Sequence, residues 1–212
     1  MTHDTPPTPS AALREAFGDI DIYLFDQLLR GRLDGVRTVL DAGCGSGRNL
    51  VHLLRAGFHV HAVDRDAGAV DRVRALAARL APGLPPGNVQ VAEVDALPFA
   101  DGSMDAVISS AVLHFASDAS HFDAMVGEMW RVLRPGGLLF ARLASSIGMD
   151  GRTRPLGNGH HALPDGSERF LVDQAGLLGR TEALGATLLD PIKTTLVQDL
   201  RAMTTWCIRK GR

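Results

Sequence analysis

One short stretch of the sequence, VLDAGCGSGRNL at residues 39–50, places an acid and three glycines directly after an apolar run. The acid is Asp41, and the glycines are Gly43, Gly45 and Gly47. Glycines let a ligand approach the backbone closely because no Cβ stands in the way. A carboxylate at the same place attracts a cationic group. The stretch therefore predicts a site for a ligand with an ammonium group and a bulky body.

Two phosphate-binding patterns fit this stretch poorly. A P-loop needs a Lys followed by Ser or Thr, and no Lys follows these glycines. A dinucleotide-binding fingerprint has glycines at its first, third and sixth positions, but the sixth position counted from Gly43 is Arg48. The pattern favours S-adenosylmethionine, which has an ammonium group and no phosphate. A dehydrogenase that transfers a hydride stays open as an alternative.

Three histidines are candidates for accepting a proton from a reacting group, because histidine titrates near neutral pH. His114 ends the fourth predicted strand, where a structural role is an equally good interpretation, and His160 and His161 lie in an irregular segment. His160 and His161 are adjacent but have no third metal ligand at a defined spacing, so we predict no metal site. Cys44 and Cys207 are far apart, which indicates neither a disulfide framework nor a zinc site.

The elements that position these residues are an alternation of apolar strands and amphipathic helices. Apolar strands separated by such helices indicate a parallel sheet that is covered on both faces. Right-handed crossovers then give a doubly wound α/β fold. At the chain's end, two β-rich runs around a polar break predict an antiparallel pair. The first five strands are expected at residues 38–42, 58–64, 88–95, 104–113 and 138–144.

The chain length of 212 residues fits one domain. We expect a flexible tail at 1–10 and a single domain at 11–212. Residues 145–170 are rich in Gly, Pro, Arg and His, which favours a substrate or lid loop over flexible surface filler. The other parts of the domain are leading helices at 11–35, a ligand-binding core at 36–144, and a C-terminal helix and β-hairpin at 171–212.

Composition narrows the possible partners. The formal net charge is −2 and the sequence has no run of basic residues, so we expect no stable binding to nucleic acid. The polar N-terminal segment does not resemble a secretory signal. No apolar segment approaches the roughly 18 residues that span a bilayer. We therefore expect a cytoplasmic protein without membrane contact.

Four motifs in order resemble the class I S-adenosylmethionine-dependent methyltransferases over residues 36–144: VLDAGCGSGRNL, VHAVD, VAEVDALPFADGSMDAVISSAVLHF and RVLRPGGLL. The resemblance implies an α/β fold with a Rossmann-like, doubly wound, seven-stranded sheet. That sheet is mostly parallel, with an antiparallel C-terminal strand and helices on both faces. It also implies an enzyme of class EC 2.1.1.-, which transfers a methyl group by in-line SN2 displacement and releases S-adenosylhomocysteine.

The resemblance also assigns cofactor contacts. Asp41 is expected near the methionine amino group, Asp64 on the ribose hydroxyls, and Asp95 on the adenine amino group. An acid at the end of the second strand has the same role on general grounds, because it can accept from ribose hydroxyls. The full expected cofactor-binding set is Asp41, Gly43, Cys44, Gly45, Gly47, Asn49, Asp64, Arg65, Asp95, Ala96, Leu97, Ser110, Ala111 and Tyr23.

The stretches GRNLVHLLRAGFHVHAVDRD and LRAMTTWCIRK are more loosely similar to bacterial methyltransferases of the tellurite-resistance type. This similarity places Arg48 at the rim of the cofactor or substrate. Arg142, Arg152 and Arg154 complete a candidate substrate rim, with Asp150 the single acid among them. If the segment from Arg142 to His161 covers the site, charge attraction favours an anionic or oxyanion-bearing acceptor. A solvated arginine face is the alternative.

Tyr23 and Gln27 on the leading helices are candidates for closing over the methionine end, although helix packing explains Tyr23 equally well. The main hypothesis is a monomeric or homodimeric methyltransferase that acts on a small molecule. Methylation of RNA or protein is a second hypothesis, against which the lack of a basic tract counts. A third is a non-catalytic regulator or partner subunit that binds S-adenosylmethionine.

Overall fold

A computed structural model describes residues 8–212 of the chain, so most of the expected tail lies outside the described residues. The tail was expected to extend to residue 10, but a helix already begins at Pro9. Thr8 caps a helix at Pro9–Phe17 by accepting a hydrogen bond from the backbone N–H of Ala11. Threonine at the N-cap followed by proline in the first turn is a strong helix start.

Residues 8–212 form eleven strands, which we number in chain order. They are β1 Thr38–Ala42, β2 His59–Asp64, β3 Val89–Val91, β4 Met104–Ser110, β5 Leu133–Ser145, β6 Arg154–Gly157, β7 His160–Ala162, β8 Glu168–Phe170, β9 Thr187–Leu188, β10 Lys193–Val197 and β11 Arg201–Arg209.

Eight of these strands form the central sheet, in the order β10-β11-β5-β4-β1-β2-β3, with β9 paired to β11. Strands β1 to β5 pair in parallel, whereas β11 runs antiparallel to β5, β9 and β10. The predicted α/β class, mostly parallel with an antiparallel C-terminal strand, is confirmed. The short β9 makes the observed count one higher than the predicted seven.

Six α-helices lie within residues 8–212: α1 Pro9–Phe17, α2 Ile22–Leu29, α3 Val51–Arg55, α4 Ala67–Leu80, α5 Ala119–Val132 and α6 Gln174–Ala183. Asp66, Asp118 and Asp173 cap α4, α5 and α6 by accepting hydrogen bonds from backbone N–H groups of the first turn. None of the helices in this part of the chain has the length and apolarity needed to cross a bilayer.

The core consists of two apolar layers, one on each face of the sheet. Phe122 and Met129 of α5 belong to one layer, and Leu53 and Val73 of α3 and α4 belong to the other. Neighbouring residues of the buried strands alternate between the two layers, since successive side chains point to opposite faces. Because β1 to β5 run parallel, their carboxyl ends lie at the same edge of the sheet.

The segment that we expected to be an irregular loop contains a small antiparallel sheet, β6-β7-β8. Gly157 pairs with His160, so Asn158 and Gly159 form a two-residue turn. Their φ angles are 51° and 80°, the geometry of a type I′ hairpin turn. An Asn-Gly pair is the strongest local signal for such a turn, and the sequence prediction overlooked it.

Candidate active site

A cavity of about 430 Å³ lies at the carboxyl ends of β1, β2 and β4. Its volume falls within the ~300–1,000 Å³ range of small-molecule pockets. Open α/β sheets bind ligands at this edge. Among the residues that the sequence singled out, those lining the cavity are Gly43, Cys44, Gly45, Arg48, Asn49, Asp64, Arg65, Ser110 and Ala111.

The glycine turn after β1 makes the floor of this cavity. Gly43 and Cys44 donate their backbone N–H groups to the carbonyl of Val63 on β2, both at 2.9 Å. A Cβ on Gly43 would overlap the side chain of Val112, and its φ of 84° favours glycine as well. A Cβ on Gly45 would meet no atom within 4 Å, so this part of the floor is open to a ligand.

Gly47 has a different part in the turn. It does not line the cavity, and a Cβ there would lie 3.0 Å from Leu76 and 3.1 Å from Val73 on α4. Its positive φ of 78° also suits glycine. The third glycine therefore allows the turn and α4 to pack closely. Cys44 is buried within this turn, and burial raises the pKa of its thiol, so it is a weak nucleophile at neutral pH.

Asp64 ends β2 with its carboxylate held by the neighbouring backbone. Its Oδ2 accepts the N–H of Gly45 at 2.8 Å, and its Oδ1 accepts the N–H of Asp66 at 3.0 Å. These two bonds fix the carboxylate at the cavity wall. Each oxygen has a further lone pair, so the group can accept hydrogen bonds from two adjacent hydroxyls.

Asp41 lies behind the glycine turn and does not line the cavity. It is fully buried, and burial raises the pKa of its carboxyl to about 7, although the charge of Arg48 acts in the opposite direction. Its Oδ2 has no hydrogen-bond partner in residues 8–212. A buried carboxylate without a partner is unfavourable. A cationic group near the turn would stabilise its ionised form.

The third strand is shorter than predicted, which moves the expected adenine contacts. β3 ends at Val91 because its partner β2 ends at Asp64, directly opposite. Ala92, Glu93 and Val94 line the cavity, whereas the predicted Asp95, Ala96 and Leu97 do not. Asp95 lies at the rim, since its Oδ2 is 3.5 Å from Nε2 of His121, a cavity residue.

A second cavity, of about 280 Å³, adjoins the first and shares Arg48 and Ala111 with it. Its wall comes from five separate parts of the chain. The charged and histidine residues of this wall are Arg48, His114, Arg142, Asp165, Arg169 and Arg201. Sequence reasoning missed Asp165, Arg169 and Arg201, because no local pattern distinguishes them from surface charges.

Asp21, which the sequence analysis also missed, organises the junction between the two cavities. Its side chain is completely buried, and Oδ2 accepts bonds from Arg142 at 3.0 Å, Arg48 at 3.2 Å and the Ser110 hydroxyl at 3.2 Å. Asp21 is also the N-cap of α2, accepting the N–H of Tyr23. The available signal was an acid directly before the apolar run that begins at Ile22. The carboxylate of Asp21 holds Arg48 and Arg142 in place.

His114 is buried in the wall of the second cavity, where its geometry differs from that of a general base. Its Nδ1 accepts the N–H of Ala144 at 3.1 Å, so the proton of the neutral ring lies on Nε2. Burial, with the nearby charge of Arg169, lowers its pKa to about 4. A neutral ring with its proton on Nε2 donates a hydrogen bond and is a poor proton acceptor at neutral pH.

The other predicted histidines and arginines lie outside both cavities. His160 and His161 stand on β7, where Nε2 of His160 bonds the carbonyl of Ser117 at 3.0 Å and His161 bonds Thr153 at 3.1 Å. Arg152 pairs with Asp199 at 3.0 Å. Arg154 is exposed on β6. Of the four arginines expected at the rim, Arg48 and Arg142 line the second cavity. The small sheet β6–β8 contributes Arg169 of β8 to the wall of that cavity.

The leading helices contact the rest of the domain without lining a cavity. The hydroxyl of Tyr23 bonds Thr195, and the guanidinium of Arg142 lies 4.8 Å from the centre of the Tyr23 ring. Gln27 is buried and donates to Asp190 at 3.2 Å. Tyr23 therefore supports the junction through Arg142, whereas Gln27 connects α2 to the C-terminal part of the domain. In residues 8–212 no cluster of three His, Cys, Asp or Glu side chains could hold a metal ion.

Comparison with known proteins identifies a shared domain. The profile of a family described as "Methyltransferase domain" matches residues 40–141. A malonyl-[acyl-carrier protein] O-methyltransferase of Erwinia billingiae is 39% identical over 108 residues, which are 50% of this chain and 39% of that protein. A probable S-adenosylmethionine-dependent methyltransferase of Mycobacterium tuberculosis is 32% identical over 173 residues, covering 74% of this chain and 60% of that one.

One solved structure with a similar fold is the 1,6-didemethyltoxoflavin-N1-methyltransferase of Burkholderia thailandensis, with bound 1,6-didemethyltoxoflavin and S-adenosylhomocysteine. It has a TM-score of 0.66 and 21% sequence identity, and the match covers 99% of this chain and 93% of that one. The likeness supports the fold. The matches to the Erwinia and Mycobacterium proteins span less than two thirds of those proteins.

Proposed function

We propose that this chain is a class I S-adenosylmethionine-dependent methyltransferase, which transfers a methyl group from that cofactor to a small-molecule acceptor. The observation that carries the proposal is the pair of adjoining cavities. One has the glycine turn and Asp64 of a cofactor site, and the other opens onto it at Arg48 and Ala111.

The residues present fit the cofactor. Asp64 can accept from two ribose hydroxyls, the open floor at Gly45 admits a bulky body, and the unpartnered oxygen of Asp41 suits a nearby ammonium group. When bound, the cofactor supplies a methyl group that its sulfonium already activates for displacement. The chain therefore needs few acid or base groups of its own.

The chain's own contribution is position. Holding two reactants in line contributes up to about 7–11 kcal/mol toward lowering a barrier. Ala111 stands where the cavities meet, and it has a φ of 67°, which is unusual for a residue other than glycine. Its N–H donates to the carbonyl of Arg142 at 2.7 Å, which ties the end of β4 to β5. This bond fixes the wall past which an acceptor reaches the methyl group.

The size of the second cavity supports a small acceptor. At about 280 Å³ it is close to the lower end of the ~300–1,000 Å³ range of ligand pockets. The Burkholderia protein, whose name describes N1-methylation of 1,6-didemethyltoxoflavin, shares the fold. The name of the Erwinia relative describes methylation of a malonyl group on a carrier protein. A carrier-bound acceptor therefore belongs in the test.

The test combines cofactor binding with a labelled-methyl transfer screen over small molecules and carrier-bound acyl groups. We expect calorimetry to show binding of S-adenosylmethionine and its homocysteine product. Asp64→Ala should weaken binding at least 100-fold, because two hydrogen bonds to a charged group are worth about 1.5–3 kcal/mol each. Asp71→Ala, at an exposed acid on α4, is the matched control and should bind normally.

Two results would contradict the proposal. Stabilisation against melting by NAD but not by S-adenosylmethionine would indicate a dehydrogenase. Cofactor binding without transfer to any compound of the screen would favour a regulator or partner subunit. Circular dichroism of Asp64→Ala separates lost affinity from lost fold.

A further inference from the structure

We propose that the second cavity recognises its acceptor by an anionic oxygen group, a carboxylate or a phosphate, which Arg169 and Arg201 bind. This inference rests on the proposed methyl transfer, because it assigns the acceptor class of the same active site. The anionic group would be an anchor at the far side of the cavity from the cofactor.

The charge of the cavity is the first argument. Four arginines, Arg48, Arg142, Arg169 and Arg201, stand in its wall, and one acid, Asp165, stands among them. Asp21 adds a second carboxylate behind the wall. Two positive charges are therefore uncompensated in residues 8–212 around this cavity. A cavity with low-dielectric walls concentrates such a field and attracts anions.

The pairing of the arginines shows which are free to bind. Arg48 and Arg142 are held by the buried Asp21. Arg169 has no carboxylate partner within residues 8–212, and its guanidinium donates a hydrogen bond to the carbonyl of Glu168 at 2.7 Å. Its guanidinium lies 4.9 Å from the centre of the Phe115 ring, which lines the cofactor cavity. This stacking orients Arg169 without using up its charge.

Arg201 is only loosely engaged. It lies 3.4 Å from Asp165 and half its side chain is exposed. Asp165 is already bound by the hydroxyl of Ser167 at 2.6 Å and its N–H at 3.0 Å. Since the acid has other donors, Arg201 can turn toward a ligand at small expense, and two guanidinium groups then match the two oxygens of an anionic group.

The hydrogen-bonding character of the wall agrees with its charge. His114 presents an N–H at Nε2, because its Nδ1 is occupied by Ala144. Ser167 gives its hydrogen to Asp165. The polar wall thus offers mainly donors, which an anionic oxygen group satisfies. A cationic acceptor would face the same donors, and the wall carboxylate of Asp165 already accepts two hydrogen bonds from Ser167.

The experiment uses the full chain with and without S-adenosylhomocysteine, titrated with succinate, inorganic phosphate and the neutral analogue succinamide. We expect the two anions, or one of them, to bind and succinamide not to bind. Arg169→Gln and Arg201→Gln should each weaken anion binding at least tenfold while the affinity for S-adenosylhomocysteine stays unchanged. Arg154→Gln, an exposed arginine outside both cavities, is the matched control.

The outcomes separate the two proposals. Equal anion binding by all variants, no anion binding by the wild type, or equal binding of succinamide would overturn the anionic anchor. Succinate alone or phosphate alone would support it and identify the group. With an acceptor from the transfer screen, Arg169→Gln should raise KM and leave kcat nearly unchanged. If S-adenosylhomocysteine fails to bind while the anions do, the proposed methyl transfer fails and the anion site remains.

Discussion

The cofactor cavity and the second cavity differ in how the chain builds them. The first has a floor of backbone, with glycines at 43 and 45 and one carboxylate, Asp64, at the end of the neighbouring strand. The second is walled by side chains from Arg48 to Arg201, which meet only in the folded protein. Local backbone geometry thus forms the floor of the first cavity, whereas long side chains from distant segments form the wall of the second.

The largest effect that we predict comes from a substitution in the glycine turn of the first cavity. Gly43→Ala puts a Cβ into Val112 and forces alanine into a φ of 84°. Overpacking of this kind costs about 1–3 kcal/mol, and a strained backbone adds a similar amount. We expect loss of measurable cofactor binding and a fall of about 3 kcal/mol in the free energy of unfolding, measured by calorimetry and urea titration.

Gly57→Ala is the control, since its φ of 78° is similar but its added Cβ would meet no atom within 4 Å. It should lose about 1 kcal/mol of stability through backbone strain and keep its cofactor affinity. Normal cofactor affinity in Gly43→Ala would show that the turn is not the floor of the site. The claim that backbone geometry forms the cofactor site would then be wrong.

A second prediction concerns the side-chain cavity and its buried histidine. The folded pKa of His114 is about 4 and its unfolded pKa is near 6.5, so the unfolded chain binds the extra proton first. The neutral histidine therefore contributes stability above pH 6.5, which is lost as the pH falls from 6.5 to 4. By linkage this amounts to about 3 kcal/mol.

The measurement compares urea unfolding of wild type and His114→Gln at pH 7 and pH 4. Both proteins lose stability in acid through their carboxylates, so the difference between them isolates the histidine. We expect the advantage of the wild type over the variant to shrink by about 3 kcal/mol across this range. A constant difference would mean that His114 titrates normally, which would restore it as a candidate base.

Parts of the fold could be predicted from local signals in the sequence. The first strand was predicted at residues 38–42 and is observed at Thr38–Ala42, because its apolar run is contained in one short stretch of the chain. The third strand was predicted too long because its end depends on β2, which stops pairing at Asp64. The hairpin turn at Asn158 was missed, although its signal was present in the sequence.

The site divides in the same way. The glycines and Asp64 follow strands that the sequence reveals, so a turn lined by them could be expected. Arg169 and Arg201 meet Arg48 only through the pairing of β11 with β5 and the docking of the small sheet, which set long-range distances. No spacing along the chain encodes that meeting. Asp21 was missed for the same reason, since its arginine partners are 27 and 121 residues away.

The smallest predicted effect tests the point that the two cavities share. Ala111 holds a φ of 67°, a conformation that costs alanine about 1–2 kcal/mol. Ala111→Gly removes this strain but adds freedom to the unfolded chain, which offsets about 0.4–1 kcal/mol. We therefore expect the free energy of unfolding to rise by no more than about 1.6 kcal/mol, with cofactor affinity unchanged.

Ala111→Val sharpens this prediction, because a β-branched side chain fits a positive φ worst and should lose roughly 2 kcal/mol in urea unfolding. If both variants kept wild-type stability and transfer activity, the geometry at Ala111 would be incidental. If Ala111→Gly kept its stability and cofactor affinity but raised the KM for the acceptor, the strained alanine would serve the second cavity. Ala111 would then act in acceptor binding and not in cofactor binding, since the affinity for the cofactor would be unaffected.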